Sequence, residues 1–316
     1  MTPALYVLAT VWLWSLIPLA VKVAYQSFNF GFIGFVRLSV GTLFFAVWEL
    51  SSGRSLRLPS RNAGGTPFGR LRAGSALPAL PGPRWIPLGA WIIIAGLGIG
   101  GDLLLYALGL RYTTASAATL IVSTDGILLA LLGVLVLRER MSWMKTAAGL
   151  CALGGLFLVN WSGQTWQALR GSEHFAGNLI VLCAGCCWAT YGLGQRVLAR
   201  APGGSLFWIF LVGTALAIVV TATRPITHAP LTWPAVFALL YLGLGGTGLA
   251  YVLFAKGMAR LEAATVGVLG STLPLFAMVQ AHYWLGEAIT PYLLGGAVLV
   301  ITGVMLIMRH QRRYGT

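Results

Sequence analysis

The chain has 316 residues, 58% of them hydrophobic and 9% charged, with a mean hydropathy of +0.83. A soluble domain carries about a quarter charged residues, so lipid is the expected solvent. Seven acids against 21 Lys and Arg give a net charge of +14, but the basic residues lie between apolar runs and not among clustered aromatics, which excludes nucleic-acid binding.

A helix needs about 20 mainly apolar residues to cross a membrane. Ten segments meet that test: 4–25, 30–50, 86–110, 113–137, 141–161, 176–197, 204–223, 232–255, 262–285 and 290–308. The first has no basic residue before it and no small-residue cleavage site after it, so it reads as a retained helix. The stretch 52–85, rich in Gly, Pro, Ser and Arg, reads as a flexible cytoplasmic loop. The cysteine tract "CAGCCW" (183–188) sits inside a span with no nearby His or carboxylate, so packing explains it better than metal binding. No metal and no cofactor are expected.

With a cytoplasmic N-terminus, sixteen basic residues fall on the inner side. Four (Lys22, Arg111, Arg170, Arg224) fall on the outer side, and Arg37 lies within a span. The positive-inside bias therefore places both termini in the cytoplasm.

The stretch 109–139 aligns without gaps on 257–287, matching Gly109 with Gly257, Ser123 with Ser271 and Glu139 with Glu287. Upstream, Trp14 pairs with Trp188 and Lys22 with Arg196. The expected architecture is all-α and polytopic: two five-helix repeats, 1–162 and 175–316. Five is odd, so the second repeat enters the membrane from the opposite side, and an inverted repeat places a substrate site near the midplane.

The doubled five-helix unit, the tryptophans of spans 1 and 6, Arg37 in span 2, and Pro274 followed by Glu287 resemble the drug/metabolite transporter superfamily, specifically its ten-helix EamA-type members. The motifs "LWS" (13–15) and "CWATY" (187–191) resemble that family's bacterial aromatic amino-acid exporters. Where those exporters carry an aromatic–proline pair in span 4, this chain has Asp125-Gly126. The resemblance implies export from the cytoplasm, across the inner membrane, of a small molecule.

Three ionisable residues stand well inside spans: Arg37, Asp102 and Asp125. A charge there costs a few kcal/mol and should face a partner or a cavity. Asp125 is about 18 Å from either end of its span. It reads as a cavity-facing acid, or as a carboxyl satisfied by Ser and Thr on a packed helix. Arg37 and Asp102 lie at equal depth, about 10–12 Å from the outer face, and are expected to form a buried ion pair with a gating role open beside it.

Trp14, Tyr106, Trp188, Tyr191 and Tyr251 are expected to line an apolar pocket; ordinary packing is the other reading of each. Glycines crowd 96–101 and 243–248, for close packing or for bending. Pro18 and Pro274 should kink their helices. His282, Glu139 and Glu287 read as interfacial or capping residues.

No nucleophile–base or acid cluster suggests an enzyme, and no phosphate-binding loop suggests an ATP-driven pump. The expected function is a secondary transporter exporting amino acids, aromatic or hydrophobic ones favoured, by alternating access. Asp125 would take the ammonium, and Ser123 or freed backbone groups the carboxylate. A cationic drug or metabolite exporter of the same fold, or a passive facilitator or channel, is the alternative. The partners are the bilayer and the small-molecule substrate, with a monomer as the assembly.

Overall fold

The computed structural model describes residues 2–52, 56, 58, 86–113, 118, 121–122, 125–137, 143–161, 175–198, 205–222, 226, 229–261, 263–270, 272–273, 275–277, 279–280 and 291–314. Among these there is helix and no β-strand. Ser123, Pro274, His282, Glu139 and Glu287 lie outside the described residues.

α1 (Pro3–Ser15) and α2 (Ile17–Ala24) form one span interrupted at Leu16. Pro18 sits in the first turn of α2. It has no N–H to give, and its ring crowds the carbonyl four residues back, so the coil breaks just before it. α3 (Phe30–Ser51) starts where the Asn29 side chain accepts a hydrogen bond from the Phe32 N–H at 3.0 Å. α4 is Leu88–Tyr112, α5 Asp125–Leu137, α6 Trp143–Trp161, α7 Phe175–Leu198 and α8 Ser205–Ala222.

The eighth span is not one α-helix, as its sequence predicts, but three segments. α9 (Trp233–Leu240) runs into a π-helix, Tyr241–Leu249, and then into α10 (Ala250–Met258). The π segment reads YLGLGGTGL, and its bare glycines let the wide coil lie against α3. A Cβ on Gly243 would meet Val40, and one on Gly248 would meet Phe44. The Thr247 hydroxyl donates to the Leu242 carbonyl five residues back at 2.7 Å, reinforcing the π register. α11 (Ala263–Gly270) and α12 (Pro291–Tyr314) complete the order.

Among the described residues, five runs are long and apolar enough to cross a membrane: Pro3–Ala24, Phe30–Ser51, Leu88–Tyr112, Ala176–Leu198 and Trp233–Met258. Their outward faces are oily, with Leu43, Val47, Leu97 and Phe237 all exposed. Lipid is the solvent in which such faces carry no penalty.

α4 is the centre of the bundle and packs on α7 and α8. Glycines set its approach to both. A Cβ on Gly98 would stand 2.8 Å from the Cys187 carbonyl oxygen and 2.8 Å from the Tyr191 nitrogen. On the facing helix, a Cβ on Gly177 would meet Tyr112 backbone. Toward α8, Gly100 has the Gly213 Cα only 3.0 Å from where its Cβ would be. Apolar side chains gain little by leaving lipid, so backbone contact of this kind supplies much of the attraction. Elsewhere α1 packs on α10, α5 on α11, α5 on α7, and α6 on α12.

Candidate functional site

A cavity of about 80 Å³ lies among these helices. By a measure in which one water occupies about 10–15 Å³, it has room for several waters or a small ligand. Trp14 reaches it from α1, Pro18 from α2, Arg37 from α3, Asp102 and Tyr106 from α4, Asp125 from α5, Trp188 from α7 and Tyr251 from α10. Its other walls are apolar, with Val7, Val11, Phe254 and Val266 among them.

The aromatic wall is one connected cluster. Trp14 meets Trp188 edge-on with ring centroids 5.8 Å apart, and meets Tyr251 and Phe254 at 5.2 Å each. Trp188 also meets Phe254 at 5.4 Å. The Trp14 indole N–H donates to the Gly246 carbonyl of the π segment at 3.1 Å, which fixes the ring plane. Tyr191, expected in the lining, stands one layer behind it. It is fully buried and packs edge-on against Tyr251 at 5.4 Å. Its position on α7 turns it toward Phe210 of α8 instead.

The charged groups are deeply buried. Arg37 is 1% exposed, Asp125 6% and Asp102 8%. Among the described residues no ion pair joins Arg37 to Asp102, contrary to the expectation from their depth. The Arg37 Nε donates instead to the Thr247 hydroxyl of the π segment at 3.4 Å, while its Nη1 has no partner among the described residues. Asp102 keeps within electrostatic reach of both Arg37 and Asp125. The Asp125 Oδ1 likewise has no partner among the described residues. It lies in the space that a side chain on Gly185 of α7 would fill. An isolated buried charge is costly to hold, and both of these groups border the cavity.

Gly185 therefore sets where the acid points. Gly185→Ala is expected to push the Asp125 carboxyl out of place, lower the melting temperature by a few degrees and cut transport by about tenfold, at a cost of about 1–3 kcal/mol for overpacking. Melting in detergent beside uptake into proteoliposomes checks it. Uptake unchanged from wild type would mean that the position of Asp125 is immaterial.

Two more charges are buried than the sequence reading allowed. Glu49 and Arg196 are each 4% exposed, although both stand near helix ends. Arg196 Nη1 donates to the carbonyls of Met258, at 2.7 Å, and Leu261. It thus satisfies carbonyls that the end of α10 leaves open. Nearby Lys256 lies over the rings of Trp48, at 5.0 Å, and Tyr6, at 5.6 Å. At the opposite end of the bundle Tyr25, just past α2, donates to the Ala107 carbonyl at 2.5 Å, and burial pushes its phenol above the usual range.

Phe254, Gly185 and Thr247 were not anticipated from sequence. Phe254 was open to detection, being three residues from Tyr251 and so on the same helix face. Thr247 was not, because α periodicity misplaces residues across a π segment.

A helical bundle with apolar outer faces and a buried, charged, aromatic-walled cavity defines a membrane transport protein. The chain belongs to the EamA-like transporter family, whose model matches residues 1–161 and 175–309. It is 28% identical over 232 residues to an uncharacterised transporter of Archaeoglobus fulgidus, covering 71% of this chain and 78% of that one. It is 25% identical to the uncharacterised inner membrane transporter YhbE of Escherichia coli K12, covering 74% of each. It is 26% identical to a probable terminal-alkyne amino-acid exporter of Streptantibioticus cattleyicolor, covering 72% of this chain and 75% of the relative. A solved crystal structure superimposes with a TM-score of 0.75 over 98% of both chains at 19% identity, which shows a shared fold. The protein is a multi-pass inner-membrane transporter.

Proposed function

We propose that this protein is a secondary transporter that exports amino acids, favouring aromatic and other hydrophobic ones, by alternating access. One observation carries the reading: a buried carboxylate oxygen of Asp125, without a partner among the described residues, borders the same cavity as Trp14, Trp188, Tyr251 and Phe254. An ammonium satisfies the first, and an apolar side chain stacks on the others. The likeness to a probable amino-acid exporter supports it.

The pattern of helix contacts supports two related halves. α4 on α7 joins spans 3 and 6, and α10 on α1 joins spans 8 and 1, so exchanging the halves maps one contact onto the other. The contacts α3 on α8, α5 on α11 and α6 on α12 map onto themselves. A cavity between such halves opens to either side when they rock.

The test is counterflow in proteoliposomes. Vesicles loaded with unlabelled phenylalanine are expected to accumulate labelled phenylalanine transiently, and empty vesicles are not. Equal entry into loaded and empty vesicles would establish a channel. The cavity holds two acids against one base, which favours a cation as the second reading. Transport of a cationic dye without phenylalanine would replace the amino-acid assignment with that one.

A further inference from the structure

We propose that Arg37 is the carboxylate anchor of the transported molecule, so that the substrate class is the free zwitterion and not an amine. The inference rests on the amino-acid reading for its site and goes beyond it in assigning the second charge. The guanidinium is always ionised and carries five N–H donors in one plane. Here it is 1% exposed and borders the cavity, with one hydrogen bond among the described residues, from Nε to Thr247. That bond is long at 3.4 Å, and Nη1 has no partner among the described residues. Since the Thr247 hydroxyl spends its own proton on Leu242, its oxygen is left to accept from Nε and to hold the guanidinium plane in place.

The obvious internal partner, Asp102, makes no ion pair with it among the described residues. A planar anion with two oxygens is what an open guanidinium edge binds best. Phosphate would bring up to two negative charges beside Asp102 and Asp125. A carboxylate brings one, and in an amino acid its own ammonium faces Asp125. Phenylalanine therefore satisfies both open groups of the cavity while its ring meets the aromatic wall. Phenethylamine leaves Arg37 open, and 3-phenylpropionate leaves Asp125 open.

The experiment is direct binding of phenylalanine and of these two compounds, each by isothermal titration calorimetry on the full chain in nanodiscs, with Arg37→Gln, Arg37→Lys and Thr247→Val beside wild type. In wild type, phenethylamine is expected to bind about 10- to 100-fold more weakly than phenylalanine. In Arg37→Gln that difference should vanish. Arg37→Lys should keep part of it, and Thr247→Val should weaken phenylalanine a few-fold while leaving phenethylamine unchanged. If Arg37→Gln does not fold, the last two variants still give the answer. Equal binding of the two compounds by wild type, or a ratio untouched by every variant, overturns the anchor. Binding of 3-phenylpropionate but not phenylalanine, lost on changing Arg37, keeps the anchor and sinks the amino-acid reading. Binding of none of the three sinks both.

Discussion

Replacing Gly98 with valine will leave little folded protein in the membrane. Even the first added carbon would stand 2.8 Å from two backbone atoms of α7, the Cys187 oxygen and the Tyr191 nitrogen. Backbone cannot swing aside as a side chain can, so α4 and α7 must part. Parting loosens the whole seam, because Gly109 meets Val181, Gly177 meets Tyr112, and Gly194 meets Ala95 along it. In lipid no hydrophobic force pulls the helices back together. Overpacking alone costs about 1–3 kcal/mol, and loss of the neighbouring contacts should bring the total to about 4 kcal/mol or more. Size-exclusion chromatography of a fluorescent fusion is the measurement, with Gly89→Ala as control. Gly89 has open space around its missing Cβ, and alanine there should be neutral. A monodisperse, wild-type yield of Gly98→Val would refute the α4–α7 seam.

Asp125→Asn is expected to lower phenylalanine uptake by about 100-fold while leaving the fold intact. The change is nearly isosteric, so the contact with Gly185 survives. What goes is the negative charge. A charge-assisted hydrogen bond is worth about 1.5–3 kcal/mol, and every 1.4 kcal/mol is tenfold. The asparagine also presents an N–H toward an ammonium, which is repulsive. Initial rates in proteoliposomes decide it. Uptake within about threefold of wild type would make Asp125 a packing residue and leave recognition to the aromatic wall.

The spans were legible because lipid demands long apolar runs. The run predicted at 30–50 is observed at Phe30–Ser51, and 176–197 at Phe175–Leu198. The last helix reaches Tyr314, beyond the predicted 308, since its polar tail is made of good helix formers and carries no break signal. Most of the cavity wall was legible too, because a charge or tryptophan far from an interface needs a reason. The partners of those residues were not. Hydrogen bonds such as Arg37 to Thr247 and Trp14 to Gly246 depend on how far the eighth span has turned by residue 246. Neither composition nor periodicity reveals a coil of a different pitch.

The glycine-rich coil at Tyr241–Leu249 also bears on which lesions in length the chain tolerates. A π turn holds about one residue more than an α turn. Loss of a single residue from this stretch can be absorbed by tightening to ordinary pitch, leaving Tyr251 and Phe254 facing as they do. The same deletion within α4 has nowhere to be absorbed. It would turn every following side chain by about 100° and carry Asp102 and Tyr106 away from the cavity. Of these two glycine-rich spans, one is thus drawn with slack and the other without.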